Sequence, residues 1–155
     1  MDSKYKDLKG IDIPEKFTNC QLGNYNISNR IIAVNEKYLA MLWEGDKKIK
    51  IVDSSCTMNI NDEIPCLNSE NNIMDLEFSP FHNNLLASST ANKSVLLWKI
   101  PENGINENNI NEKAEYTKHN NKVFFVNFNP VVSDVICSCC LNGEIHVWNQ
   151  NILFL

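Results

Sequence analysis

Apolar and polar residues alternate with the period of β-strands through the middle of the chain. Met74, Leu76 and Phe78 are separated by Asp75 and Glu77. A strand turns successive side chains to opposite faces, so this alternation indicates a half-buried strand. Two more β-rich runs, 85–87 and 95–98, follow after turn residues, and a further strand is predicted at 113–116. The segment therefore predicts four short antiparallel strands.

The same pattern returns 50 positions later. Leu76, Phe78, Pro80, Leu85, Leu86, Ser88, Asn92, Val95, Leu97 and Trp98 recur as Val126, Phe128, Pro130, Val135, Ile136, Ser138, Asn142, Ile145, Val147 and Trp148. The proline precedes the tryptophan by the same 18 residues in both copies. The second copy predicts strands at 124–128, 135–139 and 144–148. A repeat of this length indicates stacked supersecondary units.

A weaker first copy precedes these two. Strands are predicted at 32–34, 38–42 and 48–52, with Val52 where the other copies carry tryptophan. The outer strand is predicted at 63–67, where Pro65 confines it to a sheet edge. Proline, glycine and asparagines at 101–111 predict an inserted surface loop.

Four short antiparallel strands closed by a tryptophan, with a period of about 40 residues once the insert is removed, are typical of a WD-repeat blade. The predicted fold is all-β: a partial WD40-type β-propeller of about three four-stranded antiparallel blades, with no helix longer than about two turns. The expected domains are an N-terminal segment at 1–30, a degenerate blade at 31–68, a blade at 69–118 containing the insert, and an incomplete blade at 119–155.

Polar residues of the last two copies predict a buried hydrogen-bond network. A buried indole N–H must find an acceptor. The third copy offers a chain from Asn142 through His119 and Ser138 to Trp148. The second copy offers Asn92, Ser88 and Trp98, with Ser69 where the histidine should be.

Several stretches resemble the coronin family of actin-binding propellers. Ser3, Lys4, Tyr5 and Lys6 resemble the family's Ser-Lys-(Phe/Tyr)-Arg opening. The segment 33–40 resembles its Ala-Val-Asn-Pro-Lys-Phe-Leu-Ala motif, with Glu36 in place of the proline. The run 98–104 resembles the Trp-x-Ile-Pro-Glu-Asn-Gly that ends a coronin blade.

The resemblance implies a cytoplasmic, cytoskeletal protein, a fragment or truncated homologue, that binds actin filaments and contributes to actin organisation. Coronins contact filamentous actin through a basic residue on the first blade, but 18–28 hold no lysine or arginine. Arg30, Lys4 and Lys6 are the candidate contacts, and Arg30 is equally consistent with a solvated strand-end charge. Because the formal net charge is -5, contact with an acidic filament must come from a local patch. The alternative is a WD-repeat scaffold whose propeller surface binds another protein.

Other classes of function find little support in the sequence. Phosphate-binding loops, nucleophile elbows and His-Glu-x-x-His helices are absent, so no enzyme activity and no cofactor are expected. Carboxylates such as Asp75, Glu77 and Asp134 are interpreted as solvated. Neither a nucleic-acid partner nor a membrane span is expected, since no apolar run approaches the roughly 20 residues of a span.

The six cysteines are expected to be reduced thiols inside the cell. A zinc site built from cysteines 137, 139 and 140 with His119 and His146 is the alternative. Strand alternation turns Cys139 and Cys140 to opposite faces, so no metal site is expected there.

Unpaired strand edges and the apolar residues 152–155 predict self-association of the isolated chain. The same incompleteness predicts weak or undetectable binding to filaments.

Overall fold

The computed structural model describes residues 30–43, 45–54, 64–102, 105 and 113–149, together with short strand segments at 17–18 and 58–59. Every regular element in these ranges is a strand. The described residues contain no helix of a length and hydrophobicity that would cross a bilayer.

The strands are numbered in chain order. They are β1 (Phe17–Thr18), β2 (Ile32–Val34), β3 (Tyr38–Trp43), β4 (Lys48–Asp53), β5 (Met58–Asn59), β6 (Cys66–Asn68), β7 (Ile73–Phe78), β8 (Leu85–Thr90), β9 (Val95–Lys99), β10 (Lys113–Tyr116), β11 (Val123–Phe128), β12 (Val135–Cys140) and β13 (Ile145–Asn149).

Three antiparallel sheets form the body of the protein, and each is one blade. The first blade has the order β2-β3-β4-β6, and the second runs β7-β8-β9-β10. The third, β11-β12-β13, has three strands within the described residues rather than four. This fold is the partial propeller that the repeat predicts.

Two details differ from the sequence prediction. The outer strand of the first blade is Cys66–Asn68 and starts after Pro65, because a proline has no N–H to donate to a ladder. That strand does lie at the edge of its sheet. In addition, β1 and β5 pair in parallel over two residues and form a separate small sheet, whereas the strands of the three blades are antiparallel.

Equivalent hairpins of the three blades share one register. Leu86 faces Trp98 in the second blade, Ile136 faces Trp148 in the third, and Leu39 faces Val52 in the first. Val52 therefore occupies the position of the two tryptophans.

Apolar clusters fill the two spaces between neighbouring blades. The first is made by the facing sides of the first and second blades, with Leu42, Ile49, Leu86 and Trp98 at its centre. Side chains of the second and third blades, including Leu97 and Trp148, form the other. The stacked sheets thus bury both faces of the second blade.

The outer face of the third blade is apolar and exposed. Ile145 and Val147 are each 69% exposed, whereas Val95 and Leu97, at the same register positions in the second blade, are fully buried by the third. The third blade therefore exposes a face equivalent to the one that it covers on the second blade.

Candidate functional site

The third blade holds a buried cluster around Trp148. Its indole Nε1 donates to Ser138 Oγ at 2.7 Å, and His119 Nε2 lies 2.7 Å from the same oxygen. His119 and Ser138 are both buried. The pairing of β12 with β13 places Ser138 beside the indole, and the link after β10 supplies the histidine.

Asn142 does not join this cluster. Its amide donates to Glu144 Oε1 at 2.9 Å, and its side-chain oxygen accepts from Cys140 Sγ. The group facing the second ring nitrogen of His119 is Glu144, whose Oε2 lies 3.9 Å from His119 Nδ1. The predicted order from Asn142 to His119 is therefore not the observed one.

Glu144 is fixed by its own hydrogen bonds. Asn120 donates its backbone N–H to Oε2 at 3.1 Å and its side-chain amide to Oε1 at 2.8 Å. These two bonds and the one from Asn142 lower the pKa of Glu144 to about 2. The side-chain bond from Asn120 has the largest effect. The carboxylate is ionised at neutral pH.

The second blade keeps only the end of this arrangement. Trp98 Nε1 donates to Ser88 Oγ at 2.9 Å, and both residues are fully buried. Ser69, which stands at the histidine position, instead donates to the Asn71 carbonyl at 2.7 Å. Asn92 is exposed at the turn and makes no side-chain hydrogen bond to Ser88 or Trp98. Here the indole donates directly to the Ser88 hydroxyl, and no histidine follows that hydroxyl because Ser69 stands in its place.

A second polar cluster joins all three blades around Arg30. Its guanidinium donates to Asp75 at 2.8 and 3.0 Å and to the Val126 carbonyl at 2.6 Å, and it pairs with Glu77 at 3.1 Å. The guanidinium carbon also lies 5.3 Å from the centre of the Phe125 ring. The hydrogen bond to Asp75 is the main cause that raises the pKa of Arg30. Arg30 is therefore a bridging residue between the blades rather than a solvated strand-end charge, and its side chain is 38% exposed.

The two carboxylates of this cluster bind the inner edge of the third blade. Asp75 accepts the backbone N–H of Val126 at 3.0 Å, and Glu77 accepts that of Phe128 at 2.7 Å. Asp75 is only 1% exposed, so its interpretation as a solvated residue is wrong. The carboxylates replace the partners that an adjacent strand would give to these N–H groups.

Comparison with known proteins shows what the chain is similar to. Residues 1–56 match a family model described as a domain of unknown function (DUF1899). A coronin-like protein, crn1, of Schizosaccharomyces pombe is 23% identical over 155 aligned residues, covering 95% of this chain and 26% of the relative. Human coronin-2B is 31% identical over 83 residues, or 52% of this chain and 17% of the relative.

The chain is similar to coronin-like proteins along 95% of its length.

A solved structure agrees at the level of the fold. The WD40 domain of a Toxoplasma gondii coronin superposes on 90% of this chain, and 37% of that domain's chain, with a TM-score of 0.75 and 23% identity. The chain spans about a quarter of the length of the coronin-like proteins of fission and budding yeast.

Exposed lysines of the chain concentrate at one end of the blades. Backbone hydrogen bonds join the turns at this end, from Ser69 to Lys47, from Ala91 to Asn72 and from Leu141 to Lys122. The exposed lysines of this end are Lys47, Lys48, Lys93, Lys118 and Lys122, and we call it the lysine end. Lys37 and Lys99 lie at the opposite end, where an open polar pocket is lined by Lys37, Asn83, Asn84 and Glu102.

Sequence reasoning missed Glu144, Asp75 and Glu77. Each stands where the two repeat copies differ in chemistry: Glu144 corresponds to Ser94, and the two acids of β7 correspond to Phe125 and Asn127. The signal available in the sequence was an acidic residue in one repeat copy at a position where the other copy has an uncharged residue. Lys4 and Lys6 lie outside the described residues.

Proposed function

We propose that this chain is an actin-filament-binding module of the coronin type, active in the cytoplasm in the organisation of the actin cytoskeleton. The observation that carries the proposal is the similarity to coronin-like proteins along 95% of the chain. Actin is taken as the partner because the family resemblance of the opening and blade-ending motifs implies it.

The lysine end supports contact with an acidic filament. An overall charge of -5 opposes binding through bulk electrostatics, so a local concentration of positive charge is needed. Lys93, Lys118 and Lys122 are exposed on adjoining turns of the second and third blades. Glu144, the acidic residue of the third-blade turn, has its carboxylate occupied by Asn120 and Asn142.

Lys4 and Lys6 are the second proposed group of contacts, since they stand in the family's opening motif. Arg30 is left out of the proposed filament surface because Asp75, Glu77 and Val126 use its donors. It instead holds the blades that present the lysine end.

Co-sedimentation with filamentous actin at low ionic strength tests the proposal, because screening is weakest there. The isolated chain is expected to pellet weakly, and less as salt is added. Reversing two charges at the lysine end (Lys93→Glu with Lys122→Glu) is expected to abolish pelleting. The matched control, Lys37→Glu with Lys99→Glu, makes the same change in net charge at the opposite end and is expected to pellet like the natural chain.

Equal loss in both double variants would mean that only net charge matters, and pelleting unchanged in both would place the contact elsewhere. Because three blades alone are expected to bind weakly, absence of pelleting at physiological salt agrees with the proposal, whereas absence of pelleting at low ionic strength with filaments in excess would contradict filament binding. That result would favour the alternative of a WD-repeat scaffold that binds a different protein.

A further inference from the structure

Three metal-ligating atoms converge beside the Trp148 cluster. They are His119 Nδ1, Glu144 Oε2 and His146 Nε2, which all lie within 4.8 Å of one another. Glu144 Oε2 is 3.9 Å from each of the two ring nitrogens. Glu144 and His146 are two residues apart at the start of β13, so alternation turns both side chains to the same face.

His119 gives this cluster a buried and unsatisfied group. Its side chain is fully buried, and Nδ1 has no hydrogen-bond partner. Most buried polar atoms are paired, so an orphaned ring nitrogen aimed at a carboxylate and a second imidazole calls for an explanation. A cation bound between the three atoms would satisfy it.

The other atoms of the ligands are already held. His119 Nε2 lies against Ser138 Oγ at 2.7 Å, and Asn120 and Asn142 donate to Glu144. Metal-binding imidazoles usually donate their second N–H to such a partner, which fixes the ring and its tautomer. Binding at Nδ1 selects the tautomer in which Nε2–H donates to Ser138.

The donors are also in the protonation states that a metal needs. Burial, followed by the nearby His146, lowers the pKa of His119, so its ring is neutral at pH 7. Hydrogen bonds from Asn120 keep the Glu144 carboxylate ionised. Neutral imidazole and ionised carboxylate are the ligand forms of these side chains.

We propose that His119, Glu144 and His146 form a binding site for a zinc-class divalent cation, with water at the remaining position. Two imidazoles and one carboxylate suit zinc and related transition metals better than calcium or magnesium. Tetrahedral zinc holds its ligand atoms about 3.4 Å apart, so the cluster must contract by about 0.5–1.4 Å. Glu144 and His146 have 30% and 33% exposed side chains, which gives both room to move and a path from solvent.

This ligand set differs from the cysteine-based site considered from the sequence. Cys137 and Cys139 are paired across from Val147 and Ile145 on the outer face of the third blade, away from His146. The Cys140 thiol lies on the other face and donates to Glu144 Oε2 at 3.6 Å, so it is a neighbour of the carboxylate rather than a proposed ligand. The two histidines do take part, and the carboxylate replaces the thiolates.

Titration of the full 155-residue chain with Zn²⁺ against a competing chelator, under reducing conditions, tests the site. The natural chain is expected to bind one ion at the cluster, and Glu144→Gln or His146→Asn to weaken that binding at least about tenfold. His82→Asn, which alters the exposed histidine of the second blade, is the matched control and is expected to bind as the natural chain does.

Two spectroscopic readouts identify the ligands. The side-chain ¹⁵N resonances of His119 and His146 are expected to shift with Zn²⁺, while those of His82 stay in place. Co²⁺ is expected to bind without thiolate charge-transfer absorption. Equal affinities of the natural chain and Glu144→Gln would overturn the proposal, as would unchanged histidine resonances in the folded natural chain or a thiolate band that tracks the bound metal.

Discussion

Arg30 and Asp75 form a bidentate ion pair that joins the entry to the first blade with the inner strand of the second. Arg30 Nη2 lies 2.8 Å from Asp75 Oδ2, and the same carboxylate oxygen accepts the backbone N–H of Val126 in the third blade. One carboxylate, 1% exposed, therefore serves all three blades. Because the Asp75 carboxylate is buried, it depends on Arg30 for the compensating positive charge.

Arg30→Ala is expected to lower the free energy of unfolding by about 1.5–3 kcal/mol, the range for hydrogen bonds to charged groups. The substitution leaves the Asp75 carboxylate buried with fewer donors. Urea titration followed by tryptophan fluorescence measures the change. Lys37→Ala, which removes a cation at the opposite end of the blades, is the control and is expected to unfold near the natural midpoint; equal stability of the Arg30 variant would rule out the bridging role.

Ser138→Ala is expected to destabilise the protein by about 1–3 kcal/mol, because it leaves the buried Trp148 N–H without an acceptor. Ser88→Ala is expected to cost less, since Ser88 serves one indole whereas Ser138 serves both Trp148 and His119. Denaturant titration measures both. Ser54→Ala removes a hydroxyl that donates to a carbonyl in an exposed turn, and it provides the baseline. A silent Ser138 variant would mean that water satisfies the indole.

The sequence predicted the contact between Trp148 and Ser138 but not the Arg30 cluster, and this difference has a physical reason. The Trp148 and Ser138 pair follows from strand spacing, since residues ten apart in adjacent strands of a hairpin meet once its register is known. Trp98 and Ser88 follow in the same way. Regular hairpins convert sequence distance into spatial distance.

The Arg30 cluster could not be derived in that way. Its contacts join residues 45 to 96 positions apart, across blades whose relative placement no local pattern encodes. Alternation with Leu76 and Phe78 assigned Asp75 to solvent, which is the usual location of an acid in a half-buried strand. The stacking of the blades reversed that assignment.

Stability is expected to fall as the pH is lowered from 7 toward 5. The pKa of His119 is below its ordinary value of 6.5 in the folded protein. Between the folded pKa and 6.5 the unfolded chain binds more protons, so acid favours unfolding there. The neighbouring His146 and Glu144 also face this ring. Glu144, with a pKa of about 2, adds a further loss only below about pH 4.5.

Denaturant titrations at several pH values test this behaviour with His119→Gln as the variant. The slope of stability against pH between 5 and 7 is expected to flatten in that variant. The control His82→Gln, in an exposed turn, is expected to keep the natural slope. An unchanged slope in the His119 variant would assign the pH dependence to another group.

The outer face of the third blade is expected to drive self-association of the isolated chain. Val147→Lys places a charge in the exposed apolar face and is expected to shift sedimentation velocity profiles toward monomer. Val131→Lys alters a more exposed valine, at 81%, that lies in a turn away from this face, and is expected to leave the profile unchanged. A natural chain that stays monomeric at high micromolar concentration would contradict self-association through this face.

Zero-length carbodiimide crosslinking of the chain to actin filaments, with mass spectrometry of the products, tests the central claim most directly. The reagent joins a lysine amine to a carboxylate only where the two are in contact. The predicted result is crosslinks from Lys93, Lys118 and Lys122 of the lysine end, together with Lys4 or Lys6, that disappear as salt is raised. Crosslinks confined to Lys37 and Lys99, or no crosslinked product above that of an unrelated acidic protein, would contradict filament binding through this surface.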